Sequence, residues 1–315
     1  MKYLDVGRSD LRVSVVGMGC NNFVHRCNLE QARTLVHKAI DLGITLFDTA
    51  DVYGNRGGSE NFLGQILGAR RKDVVLATKF GQQMDDAGEF KGASRRYIMT
   101  AVEASLKRLR TDWIDLYQLH WPNADTPIEE TLGALDTLVR QGKVRYVGGS
   151  NFSAKQIAEA DEAASRLQLS HFVSYQSEYS LLARGAERDV IPAMRNKGLG
   201  LIPYYPLASG LLSGKYKPDA IPQGTRLATP RRHEQKFIAE ANWATIERLE
   251  QFCRARERSL LELAFSWLLT QPVVASVVAG VTRPEQLEQN VAAADWTLTT
   301  ADLAEIDRIT APVCS

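Results

Sequence analysis

The chain has 315 residues, of which 44% are hydrophobic and 24% are charged, an ordinary balance for a globular protein. Its 38 Lys and Arg residues almost cancel its 37 Asp and Glu residues, so the sequence lacks the single-signed field that attracts nucleic acids or anionic membranes. The N-terminal segment has no apolar signal core, and apolar runs such as LLELAFSWLL are shorter than the roughly 20 residues that span a bilayer. We therefore expect a cytoplasmic protein with no nucleic-acid partner and no membrane partner.

Residues 2 to 12 predict two short strands around Gly7 and Asp10, a hairpin that closes the floor of a larger fold. Short β-rich apolar runs then alternate with amphipathic helical segments, a pattern typical of a parallel sheet covered by helices. Eight runs qualify as strands: VSVVGMG near 13–19, ITLFDTA from 44, VVLATKF from 74, IDLYQLH from 114, VRYVGGS from 144, FVSYQSE from 172, LGLIPYY from 199 and VVASVVAG from 273. Because eight strands close a (β/α)8 barrel, we predict an α/β fold with one TIM-barrel domain over residues 1–315.

Helical segments fill the gaps between these strands. The segment 28–43 has an N-cap at Asn28, an apolar stripe that begins at Leu29 and a stop at Gly43, and the segments 94–110, 126–142 and 153–167 repeat this arrangement. Between the seventh and eighth strands lie about 50 further residues, more than an ordinary connection needs. The Gly- and Pro-rich segment LASGLLSGKYKPDAIPQGTR lies there, and we interpret it as a mobile flap among long loops at the C-terminal face. The alternative is a surface loop without a role.

The four cysteines, Cys20, Cys27, Cys253 and Cys314, show no close pairing of metal ligands. We interpret them as reduced, packed thiols and predict no metal site. A bridge or a metal site at Cys20 and Cys27 is the alternative, but no cluster of His and Cys surrounds them.

Polar residues follow the predicted strands at their C-terminal ends, where barrels of this type carry reactive groups. Asp48 ends the second strand and Tyr53 follows it, while Lys79 ends the third strand and His120 the fourth. The later strands are followed by Ser150 and Asn151, Gln176, Tyr204 and Gly280. Each residue alone has a structural explanation, such as a turn cap, a packed ring, a solvated strand end or a core histidine. Together, however, a carboxylate, a phenol, an ammonium and an imidazole form an acid–base site that core packing does not require.

The chemistry of such a site follows from its residue types. A free tyrosine has a pKa of about 10 and needs a nearby cation to become a useful proton donor. At a separation of about 4 Å and an effective dielectric near 20, Lys79 would stabilise the Tyr53 phenolate by roughly 4 kcal/mol, or about three pKa units before desolvation. We therefore expect Lys79 to lower the pKa of Tyr53, and Asp48 to keep Lys79 charged and aimed. A neutral His120 would donate a hydrogen bond to a substrate carbonyl oxygen.

Around these residues the sequence resembles the aldo-keto reductase family, from about residue 3 to residue 310. GITLFDTADVYGNRGGSENFLG is similar to the family signature that holds its Asp and Tyr, and ATKF and DLYQLHWP supply Lys79 and His120. The similarity is to the branch that includes potassium-channel β subunits and bacterial aldo-keto reductases. The resemblance implies that Asp48, Tyr53, Lys79 and His120 are catalytic. It also implies that an aldehyde or ketone is reduced to an alcohol with hydride from NADPH and a proton from Tyr53.

The resemblance further implies a cofactor site built on the barrel itself. GKVRYVGGSNF resembles the stretch that grips the nicotinamide carboxamide, PYYPLASGLLSGKY the loop that covers the pyrophosphate, and AGVTRPEQLEQN the adenosine-binding turn and helix. The implied cofactor-binding residues are Gly19, Asp48, Ser150, Asn151, Gln176, Tyr204, Leu207, Ser209, Leu211, Gly280, Arg283, Gln286, Gln289 and Asn290. The chain has no G-x-G-x-x-G motif after the first strand, so a Rossmann domain is not supported.

The adenosine segment departs from one common version of the family. Gly280 and Val281 occupy the place of a Lys-Ser pair, and Gln286 replaces an Arg that other members use for the 2′-phosphate. Arg283 is the predicted phosphate clamp, because a guanidinium pairs well with phosphate oxygens. NADP is therefore favoured, with NAD as the alternative if Arg283 is only a solvated residue at a helix start.

The predicted substrate is a small carbonyl compound held by Asn22, Phe23, Tyr53, His120 and Trp121. Asn21 and Asn22 depart from the aromatic or threonine residues often met there, so a sugar-derived or hydroxylated aldehyde ranks slightly above an aromatic one. Two other functions stay open: an NADP(H)-binding redox sensor or regulatory subunit with little turnover, and a Schiff-base lyase that uses Lys79 as nucleophile. The sequence gives no indication of oligomeric state.

Overall fold

The structure, a computed structural model, describes residues 1–228, 230 and 232–311. An antiparallel hairpin of β1 (Tyr3–Asp5) and β2 (Arg12–Ser14) precedes a sheet of eight parallel strands. These are β3 (Val16–Gly19), β4 (Leu46–Asp48), β5 (Val75–Phe80), β6 (Ile114–Leu119), β7 (Val144–Ser150), β8 (Phe172–Glu178), β9 (Gly200–Tyr204) and β10 (Val277–Gly280). Their order is β10-β3-β4-β5-β6-β7-β8-β9, and a parallel bridge between Leu201 and Val274 joins the two ends. The predicted hairpin and (β/α)8 barrel are confirmed.

Helices lie between the strands and after the last one. They are α1 (Leu29–Asp41), α2 (Tyr53–Leu67), α3 (Arg95–Leu109), α4 (Ile128–Arg140), α5 (Ala154–Leu167), α6 (Val190–Lys197), α7 (Glu240–Arg254), α8 (Leu260–Leu269), α9 (Pro284–Ala292) and α10 (Thr300–Thr310). The four helices predicted from the sequence are α1, α3, α4 and α5. Asn28 begins α1 as predicted, since its side chain accepts from the amide of Gln31 while the Gln31 side chain accepts from the amide of Asn28.

Two predicted strands, the first and the last of the barrel, begin three and four residues later than the sequence suggests. Val13 pairs with Leu4 in the hairpin, so the first barrel strand starts only at Val16. At the other end, the carbonyl of Val273 accepts a hydrogen bond of 2.6 Å from the amide of Leu201, which closes the ring before β10 begins at Val277. In both cases a continuous apolar run serves two structural elements.

The core has two parts, because successive residues of a strand point to opposite faces. Leu46, Ala77, Leu116 and Ile202 belong to one apolar cluster within the barrel, to which the hairpin contributes Val6, Leu11 and Val13. The larger cluster lies between the strands and the surrounding helices. Burial on both faces explains why the strands are nearly continuous apolar runs in the sequence.

The long connection from β9 to β10 contains regular structure. It holds 3-10 turns at Ala208–Ser213, Arg226–Ala228 and Arg232–Ile238, followed by α7 and α8. Cys20, Cys27 and Cys253 are free, buried thiols, and Cys314 lies outside the described residues. Among the residues that the structure covers, no helix combines the length and apolarity needed to cross a membrane.

Candidate active site

The barrel gathers the predicted acid–base residues at the C-terminal edge of three neighbouring strands. Asp48 is the last residue of β4, Lys79 lies one residue before the end of β5, and His120 follows β6 directly. The strands are parallel, with Asp48 opposite Ala77 and Lys79 opposite Gln118. Their C-terminal ends therefore meet at one edge of the sheet, as the sequence predicts.

Asp48 and Lys79 form a buried ion pair. Lys79 Nζ donates to Asp48 Oδ2 at 2.7 Å and to the carbonyl of Thr49 at 2.9 Å, and Lys79 is only 1% exposed. Burial alone would lower the pKa of Lys79, but the Asp48 carboxylate and the Tyr53 phenol outweigh burial and raise the pKa. Lys79 is therefore an ammonium at neutral pH, a poor nucleophile, which argues against the Schiff-base alternative.

Tyr53 is the first residue of α2, and an unusual turn places it. Residues 54–57 all have positive φ, from +60° at Asn55 to +113° at Gly57. A Cβ at Gly54 would lie 2.7 Å from the amide of Ser59, so this turn requires glycine there. The turn presents the Tyr53 ring to Lys79, whose Nζ lies 5.1 Å from the ring centroid.

The pKa of Tyr53 differs in direction from the sequence prediction. Burial raises it, and the charge of Lys79 opposes burial without cancelling it, so that the pKa stays above its ordinary value. The cation acts in the predicted sense, but desolvation of the phenolate is the larger effect. The degree of burial of Tyr53 cannot be deduced from spacing in the sequence.

His120 completes the cluster as a neutral ring. Its centroid lies 5.8 Å from that of Tyr53, with the two planes at 81°. Burial and the nearby Lys79 lower the pKa of His120 to about 3. Its Nδ1 is buried without a hydrogen-bond partner in the described part of the chain. An imidazole in this state offers one N–H donor and adds no charge to the site.

Four predicted cofactor residues form a second group beside this cluster. Asn151, with φ of +64°, donates through Nδ2 to the hydroxyl of Ser150 and to the carbonyl of His120, both at 3.0 Å. Tyr204 donates from its hydroxyl to Asn151 Oδ1 at 2.7 Å, and Gln176 donates from Nε2 to Asp48 Oδ1 at 2.6 Å. The acid–base cluster and this amide-rich group are thus connected by direct hydrogen bonds.

The ends of β3 and β10 bring two predicted glycines together. Gly19 pairs with Gly280, and a Cβ at Gly280 would lie 3.0 Å from Asn21 Oδ1 and 3.1 Å from Asn22 Nδ2. Gly280 is exposed, so its bare backbone faces outward at this edge. Asn22 is buried and donates from Nδ2 to the carbonyl of Val281 at 3.2 Å, which ties the two strand ends.

The predicted adenosine segment forms a turn and the start of α9, and within it the Gln286 side chain contacts the turn. Gln286 Oε1 accepts from the amides of Thr282 at 2.8 Å and Arg283 at 3.1 Å, so this oxygen fixes the turn rather than facing a ligand. Arg283 and Gln289 are exposed, whereas Asn290 is buried. The guanidinium of Arg283 is therefore the accessible cation at the start of this helix.

The predicted pyrophosphate loop is the 3-10 turn after β9. Leu207 precedes this turn, and Ser209 and Leu211 lie within it, where both are buried. Ser209 has φ of +57° and Gly210 of +96°. Successive left-handed residues of this kind turn backbone amides toward one side of a loop.

Two predicted substrate residues are placed differently from the others. Phe23 is fully buried and packs with its ring centroid 6.3 Å from that of Phe62, so it belongs to the core and not to the mouth of the barrel. Substrate contact by Phe23 therefore stays a prediction, and this core packing does not favour it. Trp121 follows His120 and is 54% exposed.

Arg226 acts on Tyr53, although the sequence does not predict it as a site residue. It begins the second 3-10 turn of the long connection, and its guanidinium lies 5.4 Å from the Tyr205 ring centroid. Its charge also helps to lower the pKa of Tyr53, although burial and Lys79 have larger effects. The only signal in the sequence is its position at the end of the Gly- and Pro-rich segment.

Comparisons with known proteins show the family of the chain. The model of the aldo/keto reductase family matches residues 15–311. The chain is 36% identical to an L-glyceraldehyde 3-phosphate reductase of Escherichia coli K12, over 98% of this chain and 92% of that protein. It is 36% identical to a probable voltage-gated potassium channel subunit beta of Arabidopsis thaliana, over 94% of this chain and 92% of that protein. It is 37% identical to an oxidoreductase of Bacillus subtilis, over 95% of this chain and 92% of that protein. With its barrel and with a family match over nearly its whole length, the chain belongs to the aldo/keto reductase family.

Proposed function

We propose that this chain reduces an aldehyde or ketone to an alcohol with NADPH, and that Tyr53 supplies the proton. The observation that carries the proposal is the buried Asp48–Lys79 pair with the Tyr53 ring against Lys79 and a neutral His120 beside it. A cation next to a phenol favours loss of the phenolic proton, and a neutral imidazole can hold a carbonyl oxygen. The proposal rests on these four side chains acting together.

The residues around this cluster fit a nicotinamide dinucleotide. A carboxamide needs both donors and acceptors, and Ser150, Asn151 and Gln176 offer hydroxyl and amide groups of both kinds next to Asp48. The half-buried ring of Tyr204 lies next to them and provides a flat surface for stacking. The exposed backbone of Gly280 and the left-handed turn at Ser209 are suited to the phosphate-bearing part.

When bound there, the dinucleotide supplies a hydride to the carbonyl carbon. The side chains of this chain do the rest of the work. His120 orients the carbonyl oxygen through one N–H, and Tyr53 transfers its hydroxyl proton to that oxygen as negative charge develops on it. Lys79 stabilises the phenolate left behind, while Asp48 keeps Lys79 charged.

The preference for NADP over NAD rests on Arg283. This guanidinium is exposed at the start of α9, where the helix N-terminus also favours a phosphate. The 2′-phosphate that distinguishes NADP from NAD would be recognised there. We also propose a cytoplasmic location, which the small number of cysteines and the free, buried thiols of Cys20, Cys27 and Cys253 support.

The substrate proposed is a small carbonyl compound. Trp121 lies exposed next to His120 and can contact its carbon skeleton. Asn22 uses its amide to tie two strand ends, which weakens the case for a sugar-derived substrate, while Asn21 stays partly exposed. The related reductase named for L-glyceraldehyde 3-phosphate keeps short hydroxylated aldehydes among the first compounds to test.

A second candidate function is redox sensing with little turnover. It is favoured by the similarity to proteins named as potassium channel subunits beta. The two functions differ in a simple measurement, the number of NADPH molecules oxidised per chain with an excess of aldehyde. Many turnovers support the reductase, whereas one turnover per chain supports the sensor.

Replacing Tyr53 by Phe tests the central assignment. Phenylalanine keeps the ring and loses the acidic hydroxyl, so we expect kcat for carbonyl reduction to fall by at least about a hundredfold, within the range that general acids contribute. The dissociation constant of NADPH, measured by fluorescence titration, should change little because the predicted cofactor contacts lie elsewhere.

The matched control is Tyr146→Phe, which removes a hydroxyl at the opposite end of the barrel, where Tyr146 contacts Asp10. We expect this variant to keep kcat within about twofold of the parent, since it does not touch the acid–base cluster. A Tyr53→Phe protein with near-parental kcat would refute the assignment of Tyr53 as proton donor.

A further inference from the structure

Gln176 spans the barrel from one side to the other. It lies on β8, and Asp48 lies on β4, and three strands separate these two around the barrel in either direction. The two residues are therefore on opposite walls. Gln176 Nε2 reaches Asp48 Oδ1 at 2.6 Å, and both side chains are buried.

With this bond, each oxygen of the Asp48 carboxylate accepts from a different side chain. Oδ2 accepts from Lys79 at 2.7 Å and Oδ1 accepts from Gln176. Within the described ranges, Gln176 is the sole side-chain donor to Oδ1. A buried carboxylate that lost this donor would hold one unsatisfied oxygen and would be free to rotate about its Cβ–Cγ bond, taking Oδ2 away from Lys79.

The same residue belongs to the wall that holds the amide-rich group. Gln176 pairs with Ser150 between β8 and β7, and its carbonyl accepts from the amide of Asn151 at 2.9 Å. Gln176 thus joins the predicted nicotinamide subsite, through its backbone, to the Asp48–Lys79 pair, through its side chain.

We propose that Gln176 is a positioning residue for proton donation, because its Nε2 fixes the Asp48 carboxylate and thereby keeps Lys79 aimed at Tyr53. This role rests on the proposed reductase function and adds to the carboxamide contact that the family resemblance implies. Gln176 acts through Asp48 and Lys79 and does not itself exchange a proton. Its loss therefore changes how easily Tyr53 gives up its proton, in addition to how tightly a cofactor binds.

The direction of the change follows from the charges. The negative charge of Asp48 raises the pKa of Tyr53, and a donor on Oδ1 offsets part of that charge. Gln176→Met keeps the length of the side chain and removes the N–H. In this variant the uncompensated Asp48 charge and a less well aimed Lys79 should both raise the pKa of Tyr53, by about one unit.

The test is a direct titration of Tyr53. Proteins labelled with carbon-13 at tyrosine Cζ are titrated by NMR, and Tyr53→Phe identifies the Tyr53 resonance. The alkaline limb of the kcat profile for carbonyl reduction is measured in parallel, because the proton donor must hold its proton. The midpoint of the Tyr53 titration and the alkaline limb of the kcat profile should both move to higher pH in Gln176→Met. Gln176→Glu, whose carboxyl donates to Oδ1 only while protonated, should move them in the same direction and serves if the Met variant does not fold.

Ser150→Ala is the matched control. Ser150 lies next to Gln176 and accepts a hydrogen bond from Asn151, and among the described residues it has no hydrogen bond to Asp48. We expect it to weaken NADPH binding and to leave the Tyr53 titration unchanged. If Gln176→Met weakens cofactor binding in the same way and Tyr53 titrates as in the parent, the positioning role is wrong. Failure of the reductase proposal is distinguishable, since it would appear as absence of turnover in the parent while the NMR titration still reports on Gln176.

Discussion

At the scale of single residues, burial and neighbouring charge compete, and the outcome differs from one site to the next. The Asp48 carboxylate overcomes the burial of Lys79, so that the ammonium form is kept. Burial overcomes the charge of Lys79 at Tyr53, whose pKa stays raised. At His120 burial and the cation act together, and the ring stays neutral. The types and spacing of these residues are visible in the sequence, but the balance between burial and charge is not.

Contacts in the site could be predicted where they follow from strand order, and not where they depend on three-dimensional packing. Asp48, Lys79 and His120 end neighbouring strands, so their convergence follows from the order of strands in a barrel. The bond from Gln176 to Asp48 joins residues 128 positions apart on opposite walls, and it depends on the width of the barrel and the length of the side chain. The inward packing of Phe23 likewise depends on neighbours that lie far away in the sequence.

Asp51 provides a prediction at this scale. It is 1% exposed, and neither carboxyl oxygen has a hydrogen-bond partner within the described residues. Burial and the nearby Glu60 raise its pKa well above the ordinary value, against the opposing charge of Arg108. The folded chain therefore keeps this proton above about pH 4, where an unfolded chain loses it, and stability falls as the pH rises through that window.

Asp51→Asn removes this penalty because an amide cannot ionise. We expect the free energy of unfolding of the variant to increase relative to that of the parent as the pH rises above about 4. Urea denaturation at several pH values measures this difference. A difference that stays constant with pH would show that Asp51 ionises normally in the folded chain.

Asp161→Asn serves as the control, because its free energy of unfolding relative to the parent should change with pH in the opposite direction. Burial opposes ionisation of Asp161 too, but hydrogen bonds from Lys197 and His171 outweigh burial and lower its pKa. The stability that the Asp161 charge contributes is present above the unfolded pKa and is lost as the pH falls through the folded one. Asp161→Asn should therefore lose stability relative to the parent as the pH rises toward about 4, and the difference should stay constant above that pH.

At the scale of elements, the eight strands could be predicted because each is buried on both faces and forms an apolar run. Their ends were less predictable where one run serves two elements, as at Val13 and Val273. The sequence does not predict the start of α2, since Gly54, Asn55 and Gly57 are poor helix formers. Their left-handed turn is packed so closely that a Cβ at Gly54 would collide with the amide of Ser59, and one at Gly57 with the Arg108 side chain.

The packing of α2 on α3 provides the prediction at this scale. A Cβ at Gly64 of α2 would lie 2.2 Å from the carbonyl oxygen of Arg108 and 2.8 Å from the carbonyl carbon of Leu109. Both are backbone atoms at the end of α3 and cannot rotate away. We expect Gly64→Ala to destabilise the fold by about 1–3 kcal/mol in urea denaturation, the usual cost of overpacking.

Gly133→Ala on α4 is the matched control, because nothing lies within 4 Å of an added Cβ there. Alanine is the better helix former, so this change should stabilise the chain by up to about 1 kcal/mol. The opposite signs separate helix propensity from close packing. A stabilising Gly64→Ala would mean that α2 and α3 lie farther apart than the structure places them.

At the scale of the whole molecule, the fold connects the site to global stability. The Asp48–Lys79 pair, the amide-rich group and the start of α9 come from strands and helices distributed around the entire barrel. A ligand that contacts all of them binds only the folded chain and stabilises it by mass action. If residues 1–315 form one domain, as the sequence predicts, the chain should unfold in a single transition, and the ligand should move the whole transition to higher temperature.

This linkage provides a test of cofactor choice that does not depend on turnover. A dinucleotide at a hundred times its dissociation constant stabilises the folded chain by about 2.7 kcal/mol. We expect equal concentrations of NADPH and NADH to raise Tm by different amounts, with NADPH the more effective, because the exposed guanidinium of Arg283 can pair with the 2′-phosphate. Arg283→Gln should remove most of the difference by reducing the effect of NADPH alone.

Arg110→Gln, the same charge change at the exposed C-cap of α3, should leave the difference intact. Equal shifts with both dinucleotides in the parent chain would refute the role of Arg283 while the assignment of Tyr53 stands.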